Sequence, residues 1–284
     1  MRLALSHQNS LSISVIFFNK GRTFSNFREV QRSRKMYGGV VKENIETLLE
    51  ACKKKDVFFK TREELLEFYW MTHPRFVFFK TIPYKAKLLD IGASDGSLIF
   101  WKKWGSPVRE DIEFYANDIK KGQYFNKSKK FFVQDLSLEL IAGYDSFFTS
   151  ILASHVLEHI EDWSVFLQNT IKLLASNGLI YIELPTPESY DFPSLTEIVV
   201  AGIPVSTINF FDDRTHIKTT PIVDLTQTLT EFGLKVVVSG VIENEFLAKE
   251  LLRVGYKTQD SELCTYGVWL RLGFSQYLIA RKVK

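Results

Sequence analysis

Seven consecutive residues, Asp90-Ile91-Gly92-Ala93-Ser94-Asp95-Gly96, carry the first chemical signal in the chain. Gly92 allows a tight turn and lets a ligand approach the main chain, because it has no Cβ. Gly96 opens a helical segment whose first amides would face the same ligand. Glycines here also suit a plain strand-to-helix turn, so the acids downstream decide between the two. Asp118 lies 22 residues after Gly96 and is followed by Ile119. A carboxylate at that point can accept hydrogen bonds from both hydroxyls of a ribose. Asp135, in Gln134-Asp135-Leu136, can accept from an exocyclic amine such as that of adenine. Ser94 and Ser97 stand where a dinucleotide fingerprint needs its second and third glycines, which disfavours a pyrophosphate. The pattern suits a nucleoside without phosphate.

A second group of residues bears on acid–base chemistry. His216 closes the polar stretch Asp212-Asp213-Arg214-Thr215-His216. An imidazole with a pKa of about 6.5 can take a hydroxyl proton at neutral pH, and Asp213 is its expected orienting partner. A helix-capping or loop-fixing histidine is the competing reading. Asp212 and Asp213 could join His216 around a divalent cation, but the sequence places no further ligands there, so no metal is expected. In Ser154-His155-Val156-Leu157-Glu158-His159, His155 either touches a ligand or packs. His159 reads as a packing residue and Glu158 as a local hydrogen-bonding group.

These residues need elements to hold them. Val41, Ile45, Leu48 and Leu49 recur at helical spacing over 41–55. Thr61-Arg62-Glu63-Glu64 has capping-box spacing and opens a second helix that His73-Pro74 closes. Strands are predicted at 87–91, 111–119, 130–133, 145–153, 179–184, 234–241 and 275–280. Helices are predicted at 96–104, 163–175, 220–232 and 243–254. A long loop, about 186–219, shows little pattern. Strands alternating with helices imply a mostly parallel sheet, which binds ligands beyond its strand ends. Asp90, Asp118, Asp135 and Ser154 all fall at such ends.

On these residues the chain resembles the class I S-adenosylmethionine-dependent methyltransferases, over Leu88 to about Leu184 and more loosely beyond. Leu88 to Gly96 resembles that family's glycine motif, with Ser94 in place of the usual middle glycine. The resemblance implies a Rossmann-like three-layer sandwich: a seven-stranded mostly parallel sheet, the last strand antiparallel, with N-terminal helices added. It implies S-adenosylmethionine as cofactor, bound by Asp90, Gly92, Ala93, Gly96, Asp118, Ile119, Asp135, Leu136, Ser154 and His155. The segment Ser154 to His159 is similar to one common among methyltransferases of small molecules and sugars. Asp213 to His216, followed by Thr220-Pro221, resembles a segment of methyltransferases tied to surface-glycan synthesis. The expected reaction moves a methyl group to a hydroxyl of a sugar or small metabolite, with His216 and Asp213 catalytic. An N-methyltransferase, an RNA methyltransferase and a non-catalytic cofactor-binding module remain alternatives.

Composition limits these alternatives. The 284 residues are 45% hydrophobic and 24% charged, which excludes a mainly disordered chain. The net charge of +3 hides an asymmetry. Residues 1–40 carry seven basic groups and one acid, leaving 29 basic and 32 acidic groups over the other 244. The expected organisation is a basic irregular arm at 1–38, a helical segment at 39–82 and the cofactor-binding domain at 83–284. The arm lacks the interleaved aromatics of a single-strand binder, so a nucleic acid partner is not expected. Two cysteines are too few for a disulfide framework. No apolar run approaches the roughly 20 residues of a membrane helix, and a cytoplasmic location is the expectation.

Overall fold

The computed structural model describes residues 38–53, 58–59 and 61–283. The arm predicted at 1–38 lies outside them, except for Gly38. Three helices precede the sheet: α1 (Gly38–Cys52), α2 (Arg62–Thr72) and α3 (Pro74–Thr81). Thr61 caps α2, its hydroxyl accepting the Glu64 N–H at 3.1 Å. His73 ends α2 and starts α3, its Nδ1 accepting the Arg75 N–H at 3.3 Å. Pro74 follows as the first residue of α3, a position that needs no N–H. The predicted stop at His73-Pro74 is therefore also a start, and α3 is a helix that the sequence pattern did not signal.

The strands are β1 (Lys87–Ile91), β2 (Glu113–Asp118), β3 (Lys130–Val133), β4 (Phe148–Ser154), β5 (Leu174–Pro185), β6 (Leu234–Val241) and β7 (Ser275–Lys282). They form one sheet in the order β3-β2-β1-β4-β5-β7-β6. Only β7 runs antiparallel, pairing β5 on one side and β6 on the other. The chain leaves β1 toward β2 and β3, then returns to place β4 on the other side of β1. That reversal opens a crevice at the carboxyl ends of β1 and β4.

Side-chain alternation along the strands sets what faces each layer. Leu89, Ile91, Ile151 and Ile182 point to a core filled by α4 (Trp163–Leu173) and α6 (Ile222–Glu231). Leu88, Leu152 and Tyr181 point to the opposite core, against α2, α3, α7 (Glu245–Thr258) and α8 (Ser261–Leu272). Two residues further along each strand, the second set becomes Asp90, Ser154 and Glu183. One face of the sheet therefore ends in polar groups beneath α2 and α3.

Besides α3 and α8, neither of which was predicted, three elements depart from expectation. The helix predicted at 96–104 is a 3-10 helix, Ser97–Lys102, entered through Gly96 at φ 81°. β5 begins at Leu174, since Leu174 pairs with Phe148 before a bulge carries the chain to Leu179 opposite Ser150. The loop at 186–219 holds a short helix, α5 (Leu195–Val200), with a full capping box between Ser194 and Glu197. Cys52 and Cys264 are free and buried. No helix among the described residues is long and apolar enough to cross a membrane.

Candidate functional site

The turn after β1 is built for close approach. Gly92 has φ 71°, and a Cβ there would lie 2.4 Å from Val156 Cγ2. Ala93 donates to the Asn117 carbonyl at 3.0 Å, which ties the turn to β2. Ser94 N–H donates to Asp118 Oδ2 at 2.7 Å, and Lys120 N–H to Oδ1 at 3.3 Å. Each carboxylate oxygen has two acceptor positions, so Asp118 can still receive two hydroxyls. Gly122 is a member that sequence reasoning missed: a Cβ there would sit 2.1 Å from the Ser94 carbonyl. It has no motif around it, and only the fold shows why glycine stands there.

Around the rim, Ile119 is 70% exposed beyond β2, an apolar surface open to a flat ring. Asp135 Oδ1 accepts the Ser137 N–H at 2.8 Å and the Ser137 hydroxyl at 2.6 Å, leaving Oδ2 open. Leu136 is only 3% exposed and packs into the core. Its side chain is therefore not a ring contact. Its N–H, which meets no acceptor among the described residues, is what Leu136 has to offer a ligand.

Asp90 is the pivotal group. It is 4% exposed, and its carboxyl, unlike its ladder-paired backbone, accepts no side-chain or amide hydrogen bond among the described residues. Burial pushes its carboxyl up to about 8, with Asp118 and Asp95 adding to the rise and Arg75 opposing it. A buried carboxyl without a partner is complemented by a cationic amino group. The crevice thus fits a ligand with an ammonium at Asp90, a ribose at Asp118 and an amine-bearing ring near Asp135.

Behind it lies a buried ionic mesh that the sequence did not reveal. Arg75 Nη1 donates to Ser154 Oγ at 3.0 Å, and its Nε lies 3.7 Å from Glu183 Oε2. Its guanidinium stands over the rings of Trp70 and Trp101 at 5.3 and 5.8 Å. Glu183 also accepts the Tyr181 hydroxyl at 2.6 Å. Burial works against the Glu183 charge, yet Arg75, His73 and His155 outweigh it and hold the carboxyl far below its usual range. Burial takes His73 down to about 4.

His155 sits at φ 54°, with Nδ1 2.9 Å from Glu158 Oε1 and Nε2 3.0 Å from Glu183 Oε1. Burial opposes its charge, but the two carboxylates raise it to about 9. Both nitrogens are occupied, which leaves the ring face and backbone of His155 for a ligand. Ser154 is likewise tied to Arg75. Glu183 had one legible trace, an acid ending the apolar run Ile180-Tyr181-Ile182.

These groups set a pH dependence of stability. Asp90 and His155 both have folded pKa values above their unfolded ones of about 3.9 and 6.5. The folded state then binds protons more tightly, so stability falls as pH rises. The Asp90 part is lost between about 4 and about 8, the His155 part between about 6.5 and about 9. At 1.36 kcal/mol per unit the His155 part is on the order of 3 kcal/mol. Thermal unfolding followed at pH 6 and pH 9 should show a clearly lower midpoint at pH 9. Equal midpoints would mean that neither His155 nor Asp90 holds its proton more tightly in the fold.

On the far side of the crevice, the Ile217 N–H donates to the Glu158 carbonyl at 2.7 Å and brings His216 to the end of β4. His216 Nδ1 donates to the Phe210 carbonyl at 2.7 Å, which leaves Nε2 with an open lone pair. Asp213 Oδ2 lies 3.9 Å from that Nε2. Asp213 Oδ1 accepts the Thr215 N–H at 2.8 Å and hydroxyl at 2.6 Å, which draw its carboxyl below the usual range. The ring of His216 is therefore oriented by Phe210 O, with Asp213 beside its free nitrogen. Asp212 is occupied by the N–H groups of Ile208, Asn209 and Leu195 and faces its own loop. Phe210 is buried and Phe211 is exposed, stacked on Tyr190 at 5.2 Å.

Residues 59–239 match the model of a family described as a methyltransferase domain. No curated protein matches the chain in sequence. A putative sarcosine dimethylglycine methyltransferase from Galdieria sulphuraria is 14% identical with a TM-score of 0.50, covering 85% of this chain and 98% of that one. It shares the fold. A SAM-dependent methyltransferase from Archaeoglobus fulgidus is 20% identical with a TM-score of 0.48, covering 78% of this chain and 100% of that one. An S-adenosylmethionine-dependent methyltransferase from Mesorhizobium loti is 14% identical with a TM-score of 0.47, covering 74% and 96%.

Proposed function

Because the chain belongs to the methyltransferase domain family, we propose that it methylates a hydroxyl of a sugar or small metabolite, in surface-glycan synthesis. Its methyl donor is S-adenosylmethionine, which supplies an electrophilic methyl on a sulfonium. The observation that carries the donor assignment is Asp90, a buried carboxyl that no described group hydrogen-bonds, beside a glycine turn.

In this reading Asp90 takes the donor's ammonium, and the turn at Gly92, Ala93 and Gly96 gives its backbone room. Asp118 accepts from the ribose hydroxyls, with Ile119 against the base. Asp135 Oδ2 accepts from the exocyclic amine, and the Leu136 N–H donates to a ring nitrogen. Ser154 and His155 form the wall behind, held by Arg75 and Glu183. On the acceptor side we place His216 and Asp213 as catalytic residues. A hydroxyl must lose its proton as its oxygen attacks, and the open Nε2 of His216 supports an acceptor that needs such help. Positioning both reactants supplies the rest, up to about 7–11 kcal/mol in favourable systems.

His216→Ala should lower turnover by about 10²- to 10⁴-fold while leaving S-adenosylmethionine affinity within about twofold. Turnover is read with a panel of sugar and small hydroxyl acceptors, and affinity by calorimetry. Unchanged turnover would overturn the assignment of His216 as base. Absence of S-adenosylmethionine binding to the wild-type chain would overturn the donor reading.

A further inference from the structure

We propose that Glu158, His159 and His216 bind a divalent transition-metal ion at the acceptor side of the site. One ligand atom from each of the three lies within 4.8 Å of the others. In sequence Glu158 reads as a local hydrogen-bonding group and His159 as a packing residue, and 57 residues separate His159 from His216. The backbone bond from Ile217 to Glu158 closes that gap.

The independent observation is an orphaned atom. Glu158 is 0% exposed, and Oε1 is bonded to His155. Its Oε2 is buried with no hydrogen-bond partner. A buried carboxylate oxygen left so costs on the order of 1–3 kcal/mol or more, and a cation beside it removes that cost.

The two imidazoles are prepared in the manner of metal ligands. His216 Nδ1 is held by the Phe210 carbonyl at 2.7 Å. His159 Nδ1 lies 3.2 Å from the Thr215 carbonyl and 2.9 Å from its hydroxyl. A carbonyl on Nδ1 fixes the tautomer and presents Nε2 as the donor atom. The rings are 4.8 Å apart between centroids.

Two imidazoles and a carboxylate suit zinc, manganese, iron or cobalt, whereas magnesium and calcium prefer oxygen alone. Bonds of about 2.0–2.2 Å place tetrahedral ligand atoms about 3.4 Å apart. The three groups would therefore draw together by roughly 1 Å, which rotation of the half-exposed His159 can supply. Asp213, 3.9 Å from His216 Nε2 at the exposed rim, adds a second negative charge. Asp212 takes no part, being tied to its own loop.

The inference rests on the methyltransferase reading for its purpose: an acceptor hydroxyl held by the ion would ionise more readily, its proton leaving to water. His216 then acts by holding the ion. Binding itself is tested without that reading. The full 284-residue chain is stripped with chelator, then titrated with Zn²⁺ and with Mn²⁺. Cobalt substitution reports the ligands by its visible spectrum. One ion per chain is expected for the wild type, with affinity reduced at least about 100-fold in His159→Ala and His216→Ala.

Each variant is checked for folding by circular dichroism and by S-adenosylmethionine affinity. His159→Gln, nearer in shape, replaces any variant that does not fold. No uptake by the wild type at about 1 mM metal, or equal uptake by the histidine variants, overturns the site. A chain that binds S-adenosylmethionine but takes up no metal would overturn the ion alone. Failure to bind S-adenosylmethionine would overturn the donor reading, whatever the metal result.

Discussion

Asp118→Ala should weaken S-adenosylmethionine binding by at least about 100-fold, the largest loss from any single side chain in the cofactor crevice. The magnitude follows from what the carboxylate does. Two ribose hydroxyls would donate to it, and hydrogen bonds to a charged group contribute about 1.5–3 kcal/mol each. Its Oδ2 also holds the Ser94 N–H at 2.7 Å, so alanine loosens the glycine turn as well. Asp118→Asn separates the two contributions, since its amide oxygen can keep Ser94 in place while the charge is lost. Calorimetry should give an intermediate affinity for Asn, nearer to Ala than to wild type. Wild-type affinity in Asp118→Ala would place the ribose elsewhere and remove the main positional argument for the nucleoside site.

The second large effect concerns stability. Glu183→Gln should destabilise the fold by about 3–5 kcal/mol, because it removes the carboxylate that faces Arg75, His73 and His155. Breaking a buried pair from one side costs more than the pair contributes, since the remaining charges keep their desolvation penalty. For a domain of this size that corresponds to roughly 6–20 °C in melting midpoint. Arg75→Met alone should also destabilise, while the double variant should recover part of the loss. Strict additivity in that cycle would show that Arg75 and Glu183 do not interact. A midpoint shift below about 2 °C in Glu183→Gln would show that the mesh does not hold charge in the folded state.

The sheet was legible because its signals are local. Short apolar runs ending in Asp90, Asp118 and Ser154 mark strands and their ligand-facing ends together. The order of these acids is what points to a nucleoside at those ends. α3 escaped because Pro74-Arg75-Phe76-Val77-Phe78-Phe79 is almost continuously apolar, and such a run carries no helical period. α8 escaped for a related reason, since it is buried on much of its circumference. β5 starts early because Leu174 meets Phe148 in space, a fact absent from either segment alone.

Site chemistry divided along the same line. Asp90, Gly92 and Asp118 stand where the motif puts them. Arg75 and Glu183 were missed because an ion pair 108 residues apart is not displayed by either segment, and the acid at the end of the β5 apolar run names no partner. His155 reads equally as a ligand contact or a packing residue, because its two carboxylates come from Glu158 nearby and Glu183 across the strand pair and the second is invisible in sequence. The orientation of His216 was attributed to Asp213, and the bond that sets it comes from a backbone carbonyl, which no sequence pattern displays.

The buried mesh also bears on the order in which the protein folds. Arg75 reaches Ser154 across 79 residues, and Ser275 reaches His155 across 120 at 3.4 Å. Every such closure loses chain entropy before it gains a contact. Each charge is penalised for leaving water until its partner arrives. The cheap route is to form the apolar faces of β1, β4 and β5 first and to bring the charges together last. The cofactor crevice is then among the final parts of the molecule to exist, on the native side of the folding barrier. Changes to the mesh should act on the rate of unfolding, leaving the rate of folding nearly unaltered.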